Sequence, residues 1–396
     1  MNDSTIDRPA APTGDALDTA GIRGHVDDAF VELVERIEAE SAEGLFHTAA
    51  QVVVRQGDDV LVDAAVGRTH RGGAFQTDTL SALYCTAKPI VAAAVLRLVA
   101  EDELSLDDRL GDVIDGLTTP WIADRTVDEV LGHTAGMHGV NTVLARILPP
   151  ASRATWLHAT EPPAAWRFGV DRAYAEFGGW YLLGEVIESL VDVPFDEYCR
   201  TQVLEPYGVD SDELWMRIAA DDFPAVSDRI SATFDLTMHQ PVPLLAEAGP
   251  ETAAEWNPAF GSYGSMSALS AFYRGLLDDL AGAGTVLPAD LLDEAVTARL
   301  PLTFDATLHR DAGFGLGFMT PLSSHFFGNR PSGRAFGHAG QGGTSIAFAD
   351  PEHDVVVAVL FNAGLDADTA LSFRRVHLVD AVYRGLGIDA TGHLAD

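Results

Sequence analysis

The first third of the chain combines one helical pattern with two strand patterns. From His25 onward, four apolar residues recur on one helical face, with acidic residues opposite: Phe30, Leu33, Val34 and Ile37. This spacing predicts a helix. Ala49–Arg55 and Val60–Val66 are β-rich runs separated by a short turn sequence, which predicts a hairpin. A strongly apolar segment then predicts a buried helix over Pro89–Ala100.

The remaining pattern predicts a helix-rich middle followed by a return to strands. Residues 105–261 are punctuated by prolines and contain a clear helical segment at Trp180–Leu190. Further along, Phe314–Phe318 is predicted as a strand, and Thr344–Ala349 with Val355–Phe361 as a second hairpin. A last amphipathic helix is predicted from about Asp368 to Leu386.

These elements assemble most simply into an α+β fold, an α/β sandwich. An antiparallel sheet built from both ends of the chain is flanked by the N- and C-terminal helices, and an all-helical lobe is inserted between its halves. The predicted boundaries are a loose tail at 1–24, a sheet domain formed by 25–104 and 262–396, and a helical lobe at 105–261.

Composition and charge argue against two classes of binding partner, nucleic acids and membranes. The chain has 396 residues, with 59 acidic and 25 basic side chains and a formal net charge of -34. Such a field repels phosphate backbones and anionic lipid, so neither nucleic acid nor a membrane is an expected partner. No apolar run approaches the roughly 20 residues that span a bilayer, and the N-terminus lacks the pattern of an export signal. The expected location is the cytoplasm, and two cysteines cannot form a disulfide framework.

The residues that could carry chemistry centre on one lysine. All basic residues are arginines except Lys88. A lysine amine can exchange a proton when its pKa shifts, whereas an arginine stays charged. Cys85 lies three residues earlier, at the start of the apolar helix, so both side chains share one face. A helix N-terminus and a nearby ammonium favour a nucleophilic thiolate, although a buried cysteine beside a lysine stem gives the same pattern.

Two segments resemble landmarks of one protein family. Cys85-Thr86-Ala87-Lys88, followed by an alanine-rich helix, resembles the motif Ser-x-x-Lys, with cysteine in place of serine. His133-Thr134-Ala135-Gly136-Met137 resembles the landmark His-Thr-Ser-Gly-Leu, which we interpret as a structural turn. Over about 25–388 the chain is similar to the serine β-lactamase and penicillin-binding-protein superfamily, most of all to its class C and esterase branch. The resemblance implies a β-lactamase/transpeptidase-like fold.

The two other motifs of that family also have counterparts. Tyr174-Ala175-Glu176 corresponds to Tyr-x-Asn, with Glu176 where the family has asparagine at the substrate. The resemblance implies that the Tyr174 phenol moves protons to and from the nucleophile and the leaving group. Gly337-His338-Ala339-Gly340-Gln341 fits the motif His-x-Gly, on a strand that lines the site. There the small Gly340 lets substrate lie against the strand edge. The backbone amides of Gln341 and Cys85 would hold an oxyanion, and His338 would hydrogen-bond Tyr174 or a substrate carboxylate.

Other signals carry no predicted chemistry. The glycine-rich stretch 313–317 resembles a phosphate-binding loop in composition only, because it follows no βα unit. His133 and His138 lack a third metal ligand at a suitable spacing. Cys199 is interpreted as a packing thiol. We therefore expect neither a cofactor nor a metal.

A cysteine nucleophile changes the expected reaction. A thiol ionises more easily than an alcohol, so a Cys85 thiolate and a Lys88 ammonium are the expected resting pair. The covalent intermediate would be a thioester, which amines attack well compared with water. The sequence therefore predicts transfer of an acyl group from an ester, thioester or amide donor to an amine or alcohol acceptor on a small molecule. An esterase or amidase with the same residues and a non-catalytic binding module are the alternatives, and the oligomeric state is left open.

Overall fold

The computed structural model describes residues 21–44, 46–139, 148–237, 241–366 and 374–389. Its strands are β1 (Arg23–Val26), β2 (Ala49–Gln56), β3 (Asp59–Gly67), β4 (Leu80–Ala82), β5 (Leu214–Trp215), β6 (Ile230–Ser231), β7 (Phe234–Asp235), β8 (Val242–Pro243), β9 (Tyr263–Gly264), β10 (Thr303–Asp305), β11 (Arg310–Ala312), β12 (Phe336–Ala339), β13 (Ser345–Asp350), β14 (Val355–Phe361) and β15 (Ala363–Gly364). Its α-helices are α1 (Val31–Glu43), α2 (Lys88–Ala100), α3 (Leu110–Val113), α4 (Pro120–Ala123), α5 (Val127–Leu131), α6 (Pro150–His158), α7 (Gly178–Leu190), α8 (Phe195–Cys199), α9 (Phe223–Val226), α10 (Pro250–Ala253), α11 (Met266–Leu280), α12 (Ala289–Ala295) and α13 (Val376–Gly385).

The central sheet joins the two ends of the chain. Its six strands are antiparallel throughout, in the spatial order β1-β3-β2-β14-β13-β12. The N-terminal hairpin β2–β3 and the C-terminal hairpin β13–β14 meet where β2 pairs with β14, with Val52 opposite Val359. This sheet with its flanking helices confirms the predicted α+β fold and both predicted hairpins.

Strand β14 shows how the sheet is buried on both faces. All its residues are buried, and they alternate between two apolar cores because successive side chains of a strand point to opposite faces. Val357 and Val359 belong to one core, together with side chains of α1 and α13. Ala358 and Leu360 belong to the other, together with side chains of α2 and α11. A strand covered on both sides has no solvent-facing positions, which explains its unbroken apolar sequence.

Helix α2 lies inside the larger core, as its apolar sequence predicts. Pro89 occupies its first turn, where the missing N–H costs no hydrogen bond. The helix packs against α7, and Trp180 and Leu183 of α7 belong to the same core. Helix α2 thereby connects the sheet to the helix-rich segments of 105–261. These segments also contain the short strands β5 to β8, so the prediction of an all-helical lobe is wrong, and the limits of the lobe stay a prediction. No helix in the described ranges is long and apolar enough to cross a membrane.

The start of the chain differs from the predicted pattern. His25 is not helical, because it lies in β1 opposite Asp63 of β3, and α1 begins only at Val31. Pairing with β3 therefore overrides the helical spacing at this point. The sheet begins at Arg23, two residues inside the predicted tail.

Two elements in the last third also differ. Phe314–Phe318 is not a strand, because Gly317 has a φ of +84° and a bridge from Phe314 to Met319 closes a turn. A positive φ at Gly317 interrupts the extended backbone that the alternation of apolar residues and glycine predicts. The last helix begins at Val376, and the predicted part at 368–373 lies outside the described residues.

Candidate active site

Cys85 lies in a single 3₁₀ turn, Tyr84–Ala87, between strand β4 and helix α2. The preceding residue, Tyr84, has a φ of +52°, a conformation that persists only where the surroundings enforce it. Here the Tyr84 hydroxyl donates a hydrogen bond to the Glu247 carboxylate. Cys85 is partly exposed while Thr86 behind it is fully buried. The turn therefore leaves the thiol accessible to a substrate.

Lys88 is fully buried, and its amine contacts two carbonyl oxygens and one sulfur. The Nζ atom lies 3.2 Å from Cys85 Sγ, 2.9 Å from the carbonyl oxygen of Glu176 and 2.6 Å from that of Ala259. Carbonyl oxygens only accept, so they bind two N–H groups whether the amine is charged or neutral. The remaining N–H or lone pair of Lys88 Nζ faces the sulfur of Cys85. A charged amine donates this N–H to a thiolate, whereas a neutral amine accepts a hydrogen bond from a thiol with its lone pair. The geometry lets one proton pass between Sγ and Nζ.

Tyr174 stands beside this pair in a buried loop that precedes helix α7. Its ring centroid lies 5.8 Å from Lys88 Nζ, and the ring stacks on Phe314 with centroids 5.8 Å apart. The hydroxyl makes no hydrogen bond of ordinary geometry with any residue in the described part of the chain. Burial raises the pKa of the Tyr174 phenol well above its ordinary value, and Cys85 and Glu176 add to the increase. The hydroxyl therefore stays protonated and can donate or relay a proton.

His338 lies on β12, the edge strand of the central sheet, with its ring centroid 5.8 Å from that of Tyr174. Its Nδ1 atom lies 2.9 Å from the backbone nitrogen of Ala339 and 3.1 Å from the carbonyl oxygen of the same residue, so the backbone of Ala339 binds this side of the ring. Burial lowers the pKa of His338 well below its ordinary value, and the nearby Lys88 adds to the decrease. Within the described ranges Nε2 has no hydrogen-bond partner, so the predicted bond to Tyr174 is absent.

The turn after β12 carries Gly340 and Gln341 beside the nucleophile turn. Ser345 joins the two turns, because its hydroxyl donates to the carbonyl of Leu83 at 3.0 Å and shares a hydrogen bond with the Thr86 hydroxyl. The Gly340 N–H donates to the Ser345 carbonyl at 2.8 Å, and a Cβ on Gly340 would collide with the Ser345 hydroxyl. The strand edge is therefore fixed against the nucleophile turn. The pairing of two backbone amides around an oxyanion stays a prediction.

Glu176 contributes its backbone, and not its side chain, to the buried part of the site. Its carbonyl oxygen accepts from Lys88, while its side chain is exposed. A carboxylate here cannot donate the hydrogen bond of an asparagine amide, and it adds a negative charge. The structure thus brings Cys85, Lys88, Tyr174 and His338 together and leaves the Glu176 side chain at the solvent.

Two side chains that sequence reasoning missed hold the Tyr174 loop. Asp305 of β10 is fully buried and accepts the Tyr174 N–H at 2.9 Å. His133, interpreted above as part of a turn, accepts the Ala175 N–H on Nδ1 at 3.2 Å. Asp305 is 131 residues distant from Tyr174 in the chain, so no local pattern could indicate it. His133 is part of the family landmark His133–Met137, but the landmark does not indicate which groups the imidazole contacts.

The second cysteine has a different environment. Cys199 is fully buried in α8, and burial raises the pKa of its thiol. It is therefore a packing residue, as predicted, and is not available as a nucleophile. In the part of the chain that the structure describes, no three His, Cys, Asp or Glu side chains are arranged to hold a metal ion.

Comparison with known proteins assigns the family. A family model described as Beta-lactamase matches residues 34–381, so the chain belongs to the β-lactamase family. Among curated proteins, esterase EstB of Burkholderia gladioli is 32% identical over 131 residues, which is 32% of each chain. The chain matches less than two thirds of the length of the curated relatives it resembles.

Solved structures agree on the fold. A penicillin-binding protein homologue from Caulobacter crescentus (24% identical) and a family VIII carboxylesterase (21% identical) both superpose with a TM-score of 0.75, over 92% of this chain and 100% of theirs. EstCE1, described as a hydrolase with promiscuous acyltransferase activity, is 17% identical and has a TM-score of 0.70 over 89% of this chain and 98% of its own. The fold is β-lactamase/transpeptidase-like, as the resemblance implied.

Proposed function

We propose that this chain is an acyl-transfer enzyme that works through a thioester on Cys85. It takes an acyl group from an ester, thioester or amide donor and passes it to an amine or alcohol acceptor on a small molecule. Membership of the β-lactamase family supports an enzyme of acyl chemistry, and one structural neighbour is described as having acyltransferase activity. The observation that carries the proposal is the 3.2 Å contact between Lys88 Nζ and Cys85 Sγ.

In the first half-reaction the Cys85 thiolate attacks the carbonyl carbon of the donor, and a C–S bond forms. Backbone N–H groups of Cys85 and Gln341 hold the oxyanion that develops. When the intermediate collapses, the bond to the leaving group breaks. The leaving group takes a proton that Lys88 supplies through the Tyr174 hydroxyl. Lys88 is then a neutral amine, still held by two carbonyl oxygens.

In the second half-reaction the acceptor attacks the thioester carbonyl, and the C–S bond breaks. The proton of the acceptor returns to Lys88, which restores the ammonium and the Cys85 thiolate, so protons balance over the cycle. Amines attack thioesters well compared with water, which favours transfer whenever an amine acceptor is bound. His338 presents a neutral ring whose Nε2 atom lacks a partner among the described residues, so Nε2 can form a hydrogen bond with a polar group of the substrate.

Hydrolysis is the second candidate, and the names of relatives favour it. EstB and the family VIII carboxylesterase are named as esterases. Water in place of the acceptor completes the same cycle with the same residues, so the two functions differ only in what attacks the thioester.

A non-catalytic binding module is the third candidate function. An accessible thiol in contact with a buried lysine argues against it, because burying an amine carries a free-energy cost that simple binding does not require.

Intact-mass measurement tests the proposal after incubation with activated acyl donors: p-nitrophenyl esters, acyl thioesters and a cephalosporin. The wild-type protein should gain the mass of one acyl group, and Cys85→Ala should gain none. Cys85→Ser should acylate more slowly, because an alcohol is harder to deprotonate. Cys199→Ser is the matched control, since it removes the buried thiol and should acylate like the wild type. No adduct and no turnover with any donor would overturn the proposal.

The fate of the adduct separates transfer from hydrolysis. Decay of the acyl-enzyme is followed with and without an added primary amine, and the products are identified by mass. Transfer predicts faster decay and an amide product in the presence of the amine. Decay at an unchanged rate, with the free acid as sole product, would make the chain a hydrolase.

A further inference from the structure

The backbone on both sides of Tyr174 is bound by one residue, His133. The His133 carbonyl oxygen accepts the N–H of Ala173 at 3.1 Å, and its Nδ1 atom accepts the N–H of Ala175 at 3.2 Å. The imidazole also meets the Tyr174 ring edge-on, with centroids 5.0 Å apart. His133 therefore fixes both flanks of the tyrosine and contacts its ring.

We infer that His133 is a positioning residue, which holds the Tyr174 hydroxyl at the Cys85–Lys88 pair by accepting the Ala175 N–H. The inference rests on the proton-transfer role proposed for Tyr174. Neither ring nitrogen of His133 bonds to the reacting sulfur, because Nδ1 binds Ala175 and Nε2 has no partner in the described ranges. His133 acts through the tyrosine.

The acceptor role requires a neutral ring in one tautomer. An Nδ1 atom that accepts is unprotonated, which places the hydrogen on Nε2. The ring is only 2% exposed. Burial lowers the pKa of His133 well below its ordinary value, and the charges of Lys88 and Arg172 add to the decrease. The ring is therefore neutral near pH 7, and Nδ1 is available to the Ala175 N–H.

The main chain at His133 is itself held in place. Its φ is +60°, which is uncommon for a residue with a side chain and marks a conformation that its neighbours enforce. The next two N–H groups, of Thr134 and Ala135, both donate to the Glu129 carbonyl, at 2.8 and 3.0 Å. Glu129 also closes a capping box with Thr126 at the start of α5. The imidazole thus projects from a rigid base, as positioning requires.

Loss of the His133 acceptor should displace Tyr174 without unfolding its loop. The Tyr174 N–H remains bound to Asp305 at 2.9 Å, and the Tyr174 carbonyl still accepts from the Thr307 hydroxyl at 2.9 Å. The Ala175 N–H, however, would be buried without a partner, so the backbone would turn there to regain one. A misplacement of about 1 Å can lower a rate about 100-fold. We therefore expect kcat to fall while the fold survives.

Two variants at position 133 test the acceptor directly, with the p-nitrophenyl ester that acylates fastest as substrate. His133→Phe keeps an aromatic ring without an acceptor and should lower kcat about 10- to 100-fold, with KM nearly unchanged. His133→Asn restores an acceptor, because Asn Oδ1 takes roughly the place of His Nδ1 and asparagine tolerates positive φ. Its kcat should return close to the wild-type value. Failure of a folded His133→Asn variant to recover activity would count against the inference.

His325→Phe is the matched control for removal of a buried histidine. His325 is fully buried and contacts Phe314 with ring centroids 4.8 Å apart, close to the 4.6 Å separation of the His133 and Phe314 rings. Its Nε2 atom bonds the Gly313 carbonyl, and not the Tyr174 loop. This variant should keep the wild-type kcat. An equal loss of kcat in His325→Phe would show general disturbance of the aromatic cluster and would overturn the inference.

A double-mutant cycle separates this inference from the proposed function. If His133 acts through the tyrosine, the kcat loss of His133→Phe should nearly vanish in a Tyr174→Phe background. Equal losses in both backgrounds, or a wild-type kcat in His133→Phe, would overturn the inference and leave the role of Tyr174 intact. A wild-type kcat in Tyr174→Phe alone would overturn the proposed proton transfer itself.

Discussion

Removal of the Ser345 hydroxyl should lower both stability and catalytic rate. The side chain is 1% exposed, donates to the Leu83 carbonyl and shares a hydrogen bond with the Thr86 hydroxyl. Ser345→Ala removes one hydrogen-bond partner from the Leu83 carbonyl and one from the Thr86 hydroxyl. Because the two bonds join the turn of Gln341 to the turn of Cys85, their loss also loosens the nucleophile relative to the strand edge.

The expected loss of stability follows from the two bonds. A buried group that loses its hydrogen-bond partner costs about 1–3 kcal/mol, so the loss of two bonds in Ser345→Ala should lower the free energy of unfolding by about 2–6 kcal/mol. Ser270→Ala is the matched control, because the Ser270 hydroxyl is also fully buried and also makes two bonds. It accepts from Arg55 Nε at 2.9 Å and donates to the Ser267 carbonyl at 2.7 Å. Ser270 lies on α11 and belongs to neither turn.

Urea unfolding followed by circular dichroism gives the two free energies, and ester turnover gives kcat for both variants. Ser345→Ala should lose about tenfold or more in kcat because the reacting groups are misplaced. Ser270→Ala should lose a similar amount of stability and keep its kcat. A Ser345→Ala variant with reduced stability but the wild-type kcat would show that this hydroxyl does not position the nucleophile.

Three further outcomes are expected. Burial lowers the pKa of His47 and His325 to about 3, so the unfolded state binds more protons once the pH falls below the ordinary value of 6.5. Each of these two histidines should therefore lower the free energy of unfolding by about 2 kcal/mol as the pH falls from 8 to 5. Urea titrations at both pH values measure this loss, and a variant His325→Phe that loses just as much would contradict it. Lys88→Met removes the proton partner of Cys85 and should slow acylation about 100-fold or more, measured as p-nitrophenol release; an unchanged rate would contradict that partnership. Iodoacetamide should label Cys85 and spare the buried Cys199 until the protein unfolds, and peptide mass mapping would reveal the opposite result.

Sequence reasoning succeeded where adjacent residues determine the structure. The contact between Cys85 and Lys88 follows from their spacing at the start of a helix, and both hairpins follow from alternating apolar runs around turn residues. It failed at His25 and at Phe314–Phe318, because strand pairing with β3 and the positive φ of Gly317 come from tertiary contacts. In both cases a local pattern was compatible with two conformations.

The rest of the site could not be predicted because distant or backbone atoms supply it. The Ala259 carbonyl binds Lys88, but every residue type has a carbonyl, so no side chain indicates it. Asp305 reaches Tyr174 only through the fold. Spacing indicated Glu176, yet it could not show that the Glu176 carbonyl binds Lys88 while the Glu176 side chain is exposed.

Time-resolved mapping of the acyl group in the first turnover shows directly whether Cys85 is the residue that becomes acylated. The wild-type protein is mixed with a p-nitrophenyl ester, quenched in acid at intervals, digested and analysed by mass. We expect a thioester on the peptide that contains Cys85, formed at the rate at which p-nitrophenol is released, and neither an adduct nor a burst of p-nitrophenol in Cys85→Ala. Turnover by Cys85→Ala at the wild-type rate, or an adduct on another residue with the same kinetics, would contradict it.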